Sequence, residues 1–231
     1  AWRWPPAPES QQVDDIAATS DGGAVIGGAG DPLTGGVLVV RFDATGRMVF
    51  NDRESGDHGT TLGFSSLVNL EVDGGGDVIA ASALENAMGV AQAQLWKIGA
   101  DGKRKWTRAL ERPGDPLDRV MIGGFALAAD GDALLVTDFG DYGPLRLLRA
   151  DSPTGDTLQV GVAPIEGMPT GLAQAPNGRL LVTGFGFIDS QGHGGARIAQ
   201  FDADLRACRV VVLGVADGSA VDAGSAHGRT L

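Results

Sequence analysis

The sequence predicts an all-β fold, and three observations predict it. A module of roughly fifty residues recurs four times along the chain. Each copy carries two turn motifs in the same order, the first an Asp/Asn-Gly pair between two apolar runs. The runs between turns are short, rich in Val, Leu, Ile and Ala, and none sustains a helical period. A unit this small cannot cover its own apolar face and must stack on its copies. Glycine makes up 37 of 231 residues, more than double the usual ~7 %. Four short antiparallel strands per copy, sheet stacked on sheet, is the β-propeller.

The elements follow in order. The first copy predicts strands over 15–19, 24–28, 37–42 and 48–52, turning at Asp21-Gly22-Gly23 and again at Asp43-Ala44-Thr45-Gly46. The second predicts 67–72, 78–82, 94–98 and 105–110, with turns at Asp73-Gly74-Gly75 and Gly99-Ala100-Asp101-Gly102. The third predicts 125–129, 133–137, 145–149 and 157–162 around Asp130-Gly131-Asp132 and 151–155. The fourth predicts 171–175, 180–183, 197–201 and 208–213; its first turn is Asn177-Gly178-Arg179, and its second decays to Asp202-Ala203-Asp204-Leu205. Many of these runs are apolar without alternation, as strands covered on both faces are. The expected repeats are 13–58, 65–114, 123–165 and 170–218 of a single domain over 1–231.

The ends read as pieces of a fifth unit. His227-Gly228-Arg229 stands one period after Asn177-Gly178-Arg179, so 219–231 matches a first strand, a turn and the start of a second. Arg3-Trp4 stands two periods before Lys105-Trp106, so 1–10 matches a last strand. Five blades with ring closure shared by both termini is the expectation, which would hide the open sheet edges. A fragment of a larger propeller is the alternative.

Arg41-Phe42-Asp43 with Gly46, Lys97-Ile98 with Asp101-Gly102 and Trp106, and Gln200-Phe201-Asp202 carry a resemblance. The chain resembles the bacterial exported propeller-repeat proteins, with an ending related to the pyrroloquinoline-quinone-type propellers. The resemblance implies export, to the periplasm or beyond the cell. It implies no particular function, because such families include scaffolds, binding proteins and enzymes.

Composition excludes several classes. A net charge of −11 and a pI near 4.6 argue against nucleic acid, whose phosphates must be neutralised by Lys and Arg. No apolar run reaches the length of a membrane span. Cys208 is the only cysteine and reads as a small packed side chain. A monomer without cofactor or metal is expected. Three scattered histidines make no zinc pattern. Asp73 to Asp77 and Asp130-Gly131-Asp132 lack the alternating ligands of a calcium loop. Trp96 and Trp106 sit within strands and read as packing between sheets.

In a four-strand meander the tight turns share one end, and the second-to-third and blade-to-blade connections share the other. The connections over 27–36, 83–93, 138–144 and 184–195, and over 54–65, 111–124, 163–170 and 214–219, read as long and variable. A binding site is expected there, since variable loops on a rigid scaffold are where recognition is built. Its candidate residues are Asp57, His58, Asp115, Asp138, Tyr142, Phe187, Asp189 and His193. Further acids are Asp31, Glu85, Asp118, Asp141 and Glu166, and further aromatics Phe64, Phe139 and Phe185. No two acids are paired by spacing, so the first expectation is a non-catalytic scaffold that presents these loops to a protein or glycan. The alternative is a glycan-acting hydrolase using two loop carboxylates. A quinone-dependent dehydrogenase is a third reading.

Overall fold

Short apolar runs bounded by Asp, Asn and Gly fold as strands throughout the chain. The computed structural model describes residues 13–31, 35–54, 69–85, 91–110, 120–139, 144–187 and 194–214. The first sheet contains β1 (Val13–Ala18), β2 (Ala24–Asp31), β3 (Gly35–Phe42) and β4 (Met48–Glu54). The second contains β5 (Asn69–Val72), β6 (Val78–Glu85), β7 (Ala91–Ile98) and β8 (Arg104–Leu110). The third contains β9 (Val120–Leu127), β10 (Ala133–Phe139), β11 (Pro144–Ala150) and β12 (Thr157–Glu166). The fourth contains β13 (Met168–Gln174), β14 (Leu180–Phe187), β15 (Gly194–Phe201) and β16 (Ala207–Gly214). Each is a four-stranded antiparallel meander in chain order. Every expected strand is present. The second and third strands run further than expected, because Gly-containing and polar stretches continue the ladder through Asp31↔Gly35, Glu85↔Ala91 and Phe187↔Gly194.

The hairpin tips close by one rule. In the first, Thr19 N–H donates to the Gly23 carbonyl and Gly22 N–H to the Thr19 carbonyl, both at 3.0 Å. The same pair of bonds recurs around Gly76, Gly131 and Gly178. All four glycines have φ between 79° and 90°, the left-handed conformation that ends such a three-residue loop and that only glycine adopts without cost. The turn glycine of the second copy is therefore Gly76, not the expected Gly74. Asp73 takes the place of Thr19 in this hydrogen-bond pattern, so the Asp-Gly pair of the sequence motif falls ahead of the true tip. At the second tips the left-handed position holds Gly46, Gly102 and Gly155, then Leu205 with φ 56°.

The chain divides into two compact units, Ala1–Leu117 and Asp118–Leu231. In the first, Val25, Val37, Val39 and Phe50 of the first sheet pack on Leu70, Val78, Ala80, Trp96 and Ile98 of the second. Trp96 is a packing residue, as expected. In the second unit, Leu134, Val136, Leu145 and Leu147 pack on Leu180, Val182, Ala199, Phe201 and Leu205. Each fully buried side chain of this size contributes about 1.5–3 kcal/mol. The backbones of β9 and β13 approach closely: a Cβ on Gly123 would lie 2.0 Å from the Pro169 carbonyl oxygen.

Two expectations are corrected here. The connection over 163–170 is not a long loop: β12 runs to Glu166 and β13 starts at Met168, with Gly167 alone between them at φ 133°. Pro164 falls inside β12 without ending it, because β12 is the outermost strand of its sheet, where a missing N–H is tolerated. Cys208 is exposed, not packed, because Ala207 pairs with Phe201 across a bulge and the outer strand is open there. The terminal segments 1–10 and 219–231, and with them the closing blade, lie outside the described residues.

Candidate functional site

The two ends of each sheet differ in chemistry. At the hairpin end, acidic turn residues meet a cation from the third strand. Arg41 pairs with Asp21 at 2.9 Å and donates to the carbonyls of Gly76 and Ala100 in the next sheet. Lys97 pairs with Asp73 at 2.8 Å and Asp77 at 3.4 Å, and Lys105 with Asp77 at 2.5 Å. Arg149 bonds Asp132 at 2.8 Å and also Asp130. The fourth copy carries Gln200 at the cation position and Arg179 where the second and third carry Asp77 and Asp132. These residues hold the tips together.

Their titration reflects the same bonds. The Thr19 hydroxyl, the Gly23 N–H and Arg41 hold the Asp21 carboxyl below its ordinary value. The Thr45 hydroxyl and the Arg47 N–H bring Asp43 down to about 2. Burial pushes Asp77 up, but Lys105 and the Ala100 N–H outweigh it and the net shift is downward. Lys105 is raised by its bond to Asp77, and Arg149 by its bond to Asp132. Carboxyls kept ionised in this way serve structure; they are poor proton donors.

A groove of about 430 Å3 also opens at the hairpin end of the second unit, lined by Leu134, Leu180, Leu205 and Gln174 with Asp130 and Arg149 at its rim. No motif of the sequence points there; Leu205 in the decayed turn is the one available sign.

At the opposite end, the strands themselves carry acids. Asp31, Glu85 and Glu166 are the last residues of β2, β6 and β12, Glu54 is the last of β4, and Asp138 is the penultimate residue of β10. Phe139 and Phe187 end β10 and β14. Asp138 is 2 % exposed, and strand alternation puts it on the side of β10 that carries Leu134 and Val136, the side covered by the fourth sheet. On that sheet Arg197 pairs with Gly184 in register, on the side shared with Val182 and Ala199. The structure thus brings a carboxylate strand and a guanidinium strand to facing sheets. Phe185, at the same end, is 42 % exposed on the other side of the fourth sheet. Asp57, His58, Phe64, Asp115, Asp118, Asp141, Tyr142, Asp189 and His193 lie outside the described residues. Glu54 stands in the sequence at the edge of a connection, and its place at a strand end needs the observed length of β4.

Among the described residues no three His, Cys, Asp or Glu side chains gather as a metal site would. No helix there is long and apolar enough to cross a membrane.

No protein-family profile matches the chain, and no curated protein matches it in sequence. Solved structures do. A protein of unknown function from Dyadobacter fermentans is similar with a TM-score of 0.60 at 13 % identity, over 89 % of this chain and 70 % of that one. The exo-β-1,3-galactanase 1,3Gal43A from Clostridium thermocellum is similar at 0.51 and 15 % identity, over 83 % and 46 %. A protein assigned as an exo-β-1,3-galactanase from Bifidobacterium bifidum s17 gives 0.51 at 13 %, over 84 % and 67 %. A quinohemoprotein alcohol dehydrogenase from Comamonas testosteroni gives 0.51 at 12 %, over 89 % and 48 %. The chain spans less than half the length of the Clostridium galactanase and of the dehydrogenase.

The fold is the β-propeller. The expectation of a non-catalytic scaffold is corrected by the same finding: the similar structures that carry a named activity are named as enzymes, and two of them as glycan-acting. That expectation rests on the lack of acids paired by spacing. Propeller blades bring acids to one end from strands far apart in sequence, so spacing along the chain does not reveal a pair.

Proposed function

We propose that this chain is a glycan-acting hydrolase, or part of one, whose site lies at the end of the sheets opposite the tight hairpins, with β-linked galactans as the first substrates to try. The observation that carries the proposal is the likeness in fold to the Clostridium thermocellum exo-β-1,3-galactanase. The carboxylates at the strand ends support it. Asp31, Glu54, Glu85 and Glu166 are the last residues of their strands and Asp138 the last but one of its own, and cleavage of a glycosidic bond needs only two such groups. One carboxyl protonates the leaving oxygen. The other attacks the sugar carbon, at a separation of about 5–5.5 Å, or activates water, at about 6.5–9.5 Å. Asp138 is buried beside the core between the third and fourth sheets. An exported setting belongs to the same proposal, because a polymeric glycan is met outside the cytoplasm.

The test is sugar release from a panel of β-linked galactans and other plant and bacterial glycans, using the whole chain. Asp31→Asn, Glu85→Gln, Asp138→Asn and Glu166→Gln are then compared at matched thermal stability. Two of the four are expected to lose about 10²–10⁴-fold in kcat, while Asp21→Asn at the hairpin end retains it. No release from any glycan, or full activity in all four variants, would sink the reading.

A further inference from the structure

An arginine stands at the same repeat position in each unit, one residue before the end of the third strand of the leading sheet: Arg41 on β3 and Arg149 on β11. Arg41 reaches out of its own sheet. Its Nη2 donates to Asp21 at 2.9 Å, and its Nη1 donates to the Gly76 carbonyl at 3.3 Å and the Ala100 carbonyl at 3.2 Å, both on tips of the second sheet. One carboxylate and two main-chain carbonyls thus hold a guanidinium between the two sheets. Their counterparts in the second unit are Asp130, Gly178 and Ala203. All three line the groove of about 430 Å3 at the hairpin end of that unit.

Arg149 does not take the corresponding place. Its Nε donates to Asp132 at 2.8 Å and its Nη2 to Asp130, both in its own sheet. Asp132 is what draws it back. The first copy carries Gly23 at that position, where a Cβ would lie 2.1 Å from the Phe42 carbonyl oxygen. No acid fits there, and Arg41 is left to cross. The space around the two tips differs accordingly. A Cβ on Gly76 would meet Ala100 at 3.7 Å and Arg41 Nη1 at 4.0 Å, whereas one on Gly178 would meet nothing within 4 Å. Among the described residues no hydrogen bond reaches the Gly178 or Ala203 carbonyl.

We infer that this groove binds the side chain of an arginine from a partner peptide, held as Arg41 is held in the first unit. The guanidinium meets Asp130 and the carbonyls of Gly178 and Ala203, and the methylene stem lies along Leu134, Leu180 and Leu205, as such stems do on apolar surface. A planar guanidinium offers five donors in a fixed fork and can serve three acceptors at once, which a compact ammonium does less well. Charge agrees. Asp130 and Asp132 outnumber Arg149, to which both are bonded, and a chain of net charge −11 draws basic partners. An anionic ligand would instead have to take Arg149 from both acids.

Titration of the full chain with N-acetyl-arginine amide, following the backbone amide signals of Gly178, Arg179 and Ala203 by NMR, tests this. Saturable shifts at these tips are expected. N-acetyl-citrulline amide, which keeps the shape without the charge, is expected to bind about tenfold more weakly or less. Asp130→Asn is expected to weaken the arginine probe by about tenfold. Asp132→Asn keeps an acceptor for the Ser152 N–H but releases Arg149, which then fills the groove itself, and the probe's shifts are expected to vanish. Both variants are read only with the rest of the spectrum unchanged; where they fail to fold, the comparison of arginine with citrulline on wild type decides. The inference is overturned if no shift saturates, if citrulline binds as well as arginine, or if Asp132→Asn binds like wild type. Tighter binding of N-acetyl-glutamate amide would make Arg149 the ligand-binding group and overturn it too. Tighter binding of free L-arginine than of the blocked amide would overturn the assignment to a peptide.

Discussion

Single side chains show where this fold spends stability and where it gains it. Ser82 and Thr137 are fully buried, and their hydroxyl oxygens have no hydrogen-bond partner among the described residues. A buried unpaired hydroxyl costs about 1–3 kcal/mol. Ser82→Ala and Thr137→Val, the second conserving shape, are therefore expected to raise unfolding free energy by about 1 kcal/mol, read from urea midpoints at unchanged slope. A loss of stability would mean that the hydroxyls are satisfied in solution by ordered water. Leu205 is the converse case. Its φ of 56° costs about 1–2 kcal/mol relative to glycine, yet its side chain is buried in the core between the third and fourth sheets. Deleting a buried leucine costs about 2–5 kcal/mol, so burial outweighs strain. Leu205→Gly is expected to destabilise by about 1–3 kcal/mol, and a gain in melting temperature would show that strain outweighs burial instead.

At the level of elements, the cation on each third strand is matched to acids on the first hairpin, and the fourth copy has changed both partners. Gln200→Arg alone would set a second cation beside the Arg179 turn, which itself holds no acid, and is expected to cost about 1 kcal/mol. Adding Arg179→Asp restores the arrangement of Lys97 with Asp77 and is expected to recover that loss; a double variant no better than the single would disprove the pairing. This matching was legible in the sequence as a motif, Arg41-Phe42-Asp43 and its copies, but its purpose was not. The strands were legible because turn glycines and apolar runs act locally. Their ends were not, because Asp31↔Gly35 and Glu85↔Ala91 pair through backbone groups that carry no side-chain pattern. The expectation of Gly74 fails for a similar reason. In Asp73-Gly74-Gly75-Gly76-Asp77 three glycines compete, and only the ladder closed by Asp73 N–H to the Asp77 carbonyl selects Gly76. Of the candidate acids, the sequence offered Asp31, Glu85, Asp138 and Glu166 as loop residues, and their place within strands was not legible, because the strand ends carry no side-chain pattern.

For the whole molecule, the separation of the two ends predicts two separate responses to acid. Asp21, Asp43, Asp77 and Asp101 all sit in hairpin turns with carboxyls held below the ordinary value of 3.8. A carboxyl with a lowered folded-state pKa stabilises fully above its unfolded value, and that stabilisation is lost as pH falls through the folded value. The melting temperature is therefore expected to hold from neutrality down to about pH 4 and to fall between pH 4 and 2, the lower bound set by Asp43 at about 2. Asp43→Asn should flatten the lower part of that fall. A decline beginning near pH 6 would instead implicate histidine or a buried acid. Hydrolysis, if it resides at the strand ends, depends on a carboxyl that keeps its proton at working pH, which the ionised turn acids cannot do. The acid and alkaline limbs of the pH–rate profile should then lie within the range where the melting temperature is flat, and Asp43→Asn should move the melting curve while leaving both limbs in place. A shift of both together would mean that activity follows folding, and that the two ends of the sheets are not chemically independent.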